Sequence, residues 1–331
     1  MLGRLEAGEN LSSADSAAII GGIMDGTISA TQAAALLRAL AIKGETVSEL
    51  LGAARAMRDR SLIVKHDLPL VADVVGSGGD NAGTINISTV TALVVASAGV
   101  PVAKHGNRAA TSKCGSADLL EAGGMAIGGG PESAARSLRE TGFAFMFAPV
   151  YHPAMKTVAP IRRQLGMRTI FNSLGPLTNP ARATHQLVGV ATEELVAPVA
   201  EVMRAVGIRA GAVVHASSGI DEVGGEGPTS VYEFGDGWSK QWTLDPDDFG
   251  VRASLQQIRG GSVERCLDAF TCILAGERSP RSDVIALNAA LAFVICGRTA
   301  DIKDGMMLAR AQLEDGHAAA LFERVKRYSH A

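Results

Sequence analysis

Cysteine is scarce in this chain. Cys114, Cys266, Cys272 and Cys296 show neither a CxxC pairing nor histidines at metal-ligand spacing, which argues against a zinc site and a disulfide framework. Net charge is also small: 31 basic against 34 acidic residues leave -3, so no global field would draw the chain to nucleic acid or an anionic membrane, and any anion site must be local. Long apolar runs are missing, since the stretch Val284 to Cys296 is too short to span a bilayer and carries Asn288 inside it. The first ten residues hold Arg4, Glu6 and Glu9 rather than an apolar core, so no secretory signal is visible and the expected compartment is cytoplasmic. Internal repeats, coiled coils and low-complexity tails are absent as well. What remains is 331 residues with 47% hydrophobic and 20% charged content, enough for a large core in one large or two unequal domains.

Three helices are expected before the first strand, because Ser29 to Gln32 and Thr46 to Glu49 both carry a capping-box pattern ahead of apolar periodic segments. After the extended stretch Leu62 to Leu70, strands and helices alternate. Strands are expected at Val71 to Val75, Val100 to Lys104, Phe143 to Ala148, Gln186 to Val190 and Ala210 to His215. Helices are expected at Val90 to Ala98, Ser116 to Ala122, Pro131 to Thr141, from Pro153 towards Leu165, and Thr192 to Val206. A hairpin around Gly235-Asp-Gly and helices over Val263 to Arg327 complete the pattern. The fold class is therefore α/β: a small N-terminal all-α domain, residues 1–68, joined by helices around 152–180, beside a large α/β domain, residues 69–331. A mainly parallel central sheet is flanked by helices.

The most informative segment runs from Asp73 to Leu120. Gly76, Gly78 and Gly79 follow an apolar strand and free the next turn to bring N–H groups close to an anion, while Ser88 and Thr89 open an Ala-rich helix whose positive end would face it. Lys104, His105, Asn107 and Arg108 follow the second strand, with Thr111, Ser112, Lys113 and Ser116 next, so a second loop presents cations, hydroxyls and amides at a neighbouring strand end. Asp221 and Glu222 lie beyond a later strand, and an acidic pair facing phosphate is a magnesium site in type. Phe145 to Lys156 and Ile161 to Asn172 add aromatic surface and cations fit to wall a planar anion; Arg162 and Arg163 are equal candidates for pairing with a carboxylate. For Met146 and Phe147 core packing is the simpler role, and no Ser/His/Asp order or activated cysteine stands out.

Taken in order, Gly76-Ser-Gly-Gly-Asp80, Asn86-Ile-Ser-Thr89, Lys104-His-Gly-Asn-Arg108, Gly115-Ser-Ala-Asp118, Arg162 with Leu165-Gly166, Phe171 to Pro180 and Asp221-Glu222 resemble the anthranilate phosphoribosyltransferase family over nearly the whole chain. The resemblance implies a nucleoside-phosphorylase-type fold. It also implies transfer of phosphoribose from 5-phosphoribosyl 1-diphosphate to anthranilate with Mg2+, in tryptophan biosynthesis, by a homodimer joined through its helical part. By the family's pattern Gly76, Gly79, Asp80, Thr84, Asn86, Ile87, Ser88, Thr89, Lys104, His105, Gly106, Asn107, Arg108, Ala109, Ala110, Thr111, Ser112 and Ser116 would hold the phosphoribosyl diphosphate. Gly76, Asn107 and Arg162 would meet anthranilate, the resemblance selecting Arg162 over Arg163; Ser88, Asp221 and Glu222 would hold the metal. No general acid or base is assigned, and Lys104 is the candidate for stabilising charge in the transition state. The chain departs from the family at Ala216 after His215, at Cys114 where serine is common, and at Ser77 in place of threonine.

Two alternatives share the fold. One is a pyrimidine nucleoside phosphorylase, which also has a Lys-His-Gly element; the other is a non-catalytic nucleic-acid-binding homologue. Asn107-Arg108 and the acidic pair fit the transferase better than the first, and the mildly acidic balance disfavours the second. A glutamine amidotransferase of the anthranilate synthase type is left open as a partner; neither nucleic acid nor membrane is expected.

Overall fold

The computed structural model describes residues 1–109 and 112–330. The expected site residues Ala110 and Thr111 lie outside the described residues.

Four helices, not three, precede the first strand: Leu2–Glu6, Ser13–Met24, Ala30–Lys43 and Val47–Asp59. The first has five residues and no side-chain cap, so its sequence carries no start signal. Thr46 and Glu49 do form a reciprocal capping box: the Thr46 hydroxyl accepts from the Glu49 N–H (3.3 Å), and Glu49 Oε2 accepts from the Thr46 N–H (2.8 Å). Ser29 caps Gln32 N–H at 3.4 Å, but the Gln32 amide oxygen takes the serine hydroxyl instead of reaching back to the backbone. Buried Glu49 also accepts from Leu11 N–H and Lys43 Nζ, both at 2.9 Å, tying three stretches of the bundle together. Gly52 lets two helices meet backbone to backbone, for a Cβ there would lie 2.1 Å from the Ser13 carbonyl oxygen.

Seven strands form one sheet: β1 Ala72–Gly76, β2 Val102–Gly106, β3 Phe143–Phe147, β4 His185–Gly189, β5 Ala210–Ala216, β6 Thr229–Gly235 and β7 Trp238–Leu244. Their order is β3-β2-β1-β4-β5-β6-β7, parallel through β5 and antiparallel from β5 to β7. The chain thus builds outward from β1 on one side and from β4 on the other, and a crevice opens beyond the carboxyl ends where that order reverses. Gly76 and Gly189 are register partners at this point.

Two large cores flank the sheet. One packs helices Ile87–Ser97 and Pro280–Ile295 with the C-terminal helices; the other joins Val188 and Val213 of the sheet to Leu50, Ala53 and Met57 of the helical region. Pro153 lies in a turn between two helices, Ala148–Tyr151 and Met155–Leu165, rather than in the first turn of one long helix, and Thr192 to Val206 splits into a 3-10 turn, Glu193–Leu195, and the helix Val196–Ala205. Among the described residues no helix is long and apolar enough to cross a membrane.

Candidate active site

A cleft of about 380 Å3 opens over the carboxyl ends of β1 and β2. Lining it are Gly76, Gly79, Asp80, Thr84, Asn86, Ile87, Ser88, Thr89, Lys104, His105, Gly106, Asn107, Arg108, Ala109, Ser112, Ser116, Arg162, Asp221 and Glu222, which is every expected site residue within the described part of the chain. For all but Arg162 the reason is topological: loops after parallel strands of one sheet leave from the same edge.

The acidic loop lies directly on the sheet end. A Cβ on Gly76 would sit 2.6 Å from Asp221 Oδ2, and one on Gly189 would sit 1.5 Å from the Asp221 carbonyl oxygen, so both glycines are steric requirements for this approach. The N–H of Gly78, at φ +69°, donates to Asp221 Oδ2 at 2.6 Å, and Ser77 N–H donates to the Gly189 carbonyl at 2.8 Å. On the far side Asn288 pins the loop. Buried in the helix Pro280–Ile295, its Oδ1 accepts from Val223 N–H (3.0 Å) and its Nδ2 donates to Val223 O (2.9 Å). The outer part of the glycine loop is fixed by Ile85 N–H to Ile258 O and Gly260 N–H to Gly83 O, both 2.9 Å.

Lys104 is almost fully buried at 1% exposure. Its Nζ donates to Val74 O at 2.6 Å and to Ser88 Oγ at 3.3 Å. Burial pulls its pKa down, while Asp73, Glu222 and Asp221 oppose that shift. Burial likewise lifts Asp221 well above the usual carboxylate range, helped by Glu222 and Asp80, and pushes Glu222 up to about 7 against the pull of Lys104. The helix expected to open at Ser88 starts one residue earlier, at Ile87, and Ser88 N–H donates to Glu222 Oε1 at 3.1 Å. Its positive end therefore faces the acidic pair.

Neither Asp221 nor Glu222 forms an ion pair with a side chain among the described residues. Among these residues no group of three or more His, Cys, Asp or Glu side chains converges as a complete metal site. Two buried carboxylates beside a hydroxyl, with no nitrogen or sulfur donor, nevertheless fit a hard divalent cation that draws its other ligands from phosphate oxygens or water.

The opposite wall is built by the crossover between β3 and β4. Half-buried Arg162 donates from Nη2 to Asn172 Oδ1 at 3.1 Å and lies 5.8 Å over the Phe171 ring, whereas Arg163 is exposed. Gly175 and Pro176 line the same side. His105 places Nδ1 3.2 Å from Gly175 O, and its ring is 5.0 Å from that of buried His152. Burial lowers their pKa values to about 4 and about 3, so both are neutral at pH 7.

Sequence reasoning missed the layer behind the cleft. Asp73, at 0% exposure, accepts from Asn179 Nδ2 at 2.7 Å and from His105 N–H at 3.4 Å; Asn179 also donates to Ala103 O at 2.8 Å. Gly189 and Asn288 were missed too, while Asn172 and Pro176 lie in stretches that the sequence singles out without giving either residue a role of its own. Asn288, as the single polar residue in an apolar run, was the one detectable signal.

The sequence profile of the Glycosyl transferase family, helical bundle domain, matches residues 1–61, and that of the Glycosyl transferase family, a/b domain, matches residues 68–319. Anthranilate phosphoribosyltransferase of Symbiobacterium thermophilum is 45% identical over 331 residues, covering 100% of this chain and 97% of that protein. The enzyme of the same name from Solibacter usitatus is 46% identical, covering 96% and 94%. Among solved structures, anthranilate phosphoribosyltransferase from Thermus thermophilus superposes with a TM-score of 0.92 at 41% identity, over 100% of this chain and 99% of that one. The Saccharomyces cerevisiae enzyme in complex with PRPP and Mg gives 0.88 at 27% identity, covering 97% and 94%.

Proposed function

The chain belongs to the anthranilate phosphoribosyltransferase family, and from that membership we propose how its cleft divides the family's reaction among its residues. The reaction transfers the phosphoribosyl group of 5-phosphoribosyl 1-diphosphate (PRPP) to the amino group of anthranilate, giving N-(5-phosphoribosyl)anthranilate and diphosphate, in tryptophan biosynthesis. Neither the phosphorylase nor the nucleic-acid reading is favoured beside relatives of this similarity.

The observation that carries the assignment is the seating of the Asp221–Glu222 loop on the bare glycine ends of β1 and β4, within one cleft with Lys104. Ser88, Asp221 and Glu222 would hold Mg2+, which supplies Lewis-acid stabilisation of the departing diphosphate. Gly76, Gly79, Asp80, Thr84, Asn86 to Thr89, Lys104 to Ser112 and Ser116 would hold PRPP, with Lys104 placing a positive charge in a dry site where negative charge grows as the glycosidic bond breaks. Arg162 would take the anthranilate carboxylate, exchanging its contact with Asn172 for a charged one and orienting the amine. An aromatic amine is already neutral at pH 7, so the nucleophile needs no strong base. Catalysis in this reading is positioning and charge stabilisation.

We extend the proposal to assembly and compartment. An apolar groove on the helical region, lined by Leu5, Ala35, Ala39 and Leu165, carries Ile42 at 71% exposure, and Met167 at 39% extends the same apolar surface, the kind of patch that marks an interaction site. This face would join two copies in the cytoplasm. The direct test of the function is loss of anthranilate fluorescence on adding PRPP. Loss that needs Mg2+ and both substrates supports the reading; no loss with folded protein overturns it.

A further inference from the structure

Arg108 belongs to the loop proposed to hold diphosphate, yet its guanidinium is already engaged by anions. Nη1 donates to Asp118 Oδ1 at 2.9 Å and to Glu121 Oε2 at 2.7 Å, and Nη2 donates to Glu121 Oε1 at 3.0 Å. The guanidinium carbon also stands 5.5 Å over the Phe147 ring. Both acids come from the short helix Ser116–Ala122 that follows the loop. Asp118 has a further task. Its Oδ2 accepts from Ala109 N–H and from Gly115 N–H, each at 2.9 Å, so one carboxylate clips the two ends of the loop while its other oxygen holds the arginine.

Two carboxylates against one guanidinium leave this corner net negative. An arginine that kept both partners would offer a diphosphate nothing, because the incoming polyanion would meet two like charges within hydrogen-bond range of that guanidinium. We propose that Asp118 and Glu121 form a latch on Arg108, which exchanges this acidic pair for the diphosphate when PRPP binds. The two acids are thus positioning residues that set the affinity of the cleft for diphosphate. The inference rests on the reading of Arg108 as a diphosphate ligand.

Two variants separate the latch from the loop clip. Glu121→Gln removes the charge from an exposed side chain; Asp118→Asn can keep a carbonyl oxygen towards the Ala109 and Gly115 N–H groups while turning its amide to Arg108. With anthranilate saturating and ionic strength low, both variants are expected to lower KM for PRPP by about threefold, the scale of an exposed ion pair lost as competitor. KM for anthranilate should stay unchanged and product inhibition by diphosphate should tighten in parallel, shifts that a merely structural role would not give. Arg108→Ala is the control. If it raises KM for PRPP but neither acid variant lowers it, the latch is wrong and the diphosphate reading stands. If Arg108→Ala leaves KM for PRPP unchanged, that reading fails and the latch fails with it.

Discussion

The two walls of the cleft are made in different ways. The first wall consists of loops that follow β1, β2 and β5 directly, with backbone N–H groups, glycines and short polar side chains seated on the sheet edge. The wall from Arg162 to Pro176 comes from a helical crossover, where the Arg162 side chain is held by Asn172 and Phe171 of the same crossover. Charge handling is concentrated in the first wall and shape in the second. A site of this design can bind the phosphorylated substrate at the strand ends and orient the aromatic one from the crossover.

The sharpest way to break this division is to remove the charge of the first wall. Asp221→Asn combined with Glu222→Gln should reduce Mg2+-dependent turnover by about 100-fold or more, read as loss of anthranilate fluorescence; near-normal turnover would move the metal site elsewhere. Gly189→Ala should act through geometry alone, since the new Cβ would collide with the Asp221 carbonyl. Destabilisation of about 1–3 kcal/mol is expected in denaturant unfolding, together with a higher KM for PRPP. A variant with unchanged stability and kinetics would show that the acidic loop does not need its seat.

On the second wall, a charge-assisted contact is worth about 1.5–3 kcal/mol, so Arg162→Ala should raise KM for anthranilate by about 10-fold or more. The smallest effect concerns His105 and His152. Their folded pKa values, about 4 and about 3, lie below the unfolded value of 6.5, so the stability they contribute is complete above pH 6.5 and is lost as pH falls towards 4 and then 3. Melting temperatures followed from pH 7 to 4 should fall less in a His152→Phe variant than in the parent; equal slopes would remove this source of acid sensitivity.

Legibility in the sequence follows the same division. Strand ends followed by Gly, Ser, Thr, Asn and Lys announce the first wall, because the residue types that approach anions are also those that make turns. The strand rhythm and the antiparallel hairpin were readable from apolar runs and turn residues. Asp73, Asn179 and Gly189 were not, since a buried carboxylate, an amide 106 positions away and a glycine under a distant carbonyl become related only when β1 and β4 pair. Residues alone left Arg162 and Arg163 equal. The helix phase decides between them, placing the first in the cleft and the second in solvent.

The most direct test of the division is the pair of Michaelis constants for Arg162→Ala, measured for both substrates in one fluorescence assay with Mg2+ saturating. The account predicts a large rise for anthranilate and a PRPP value within about twofold of the parent, as expected for a uniform binding contact to one substrate. Equal rises for both would contradict it, because the two walls would then act as one site.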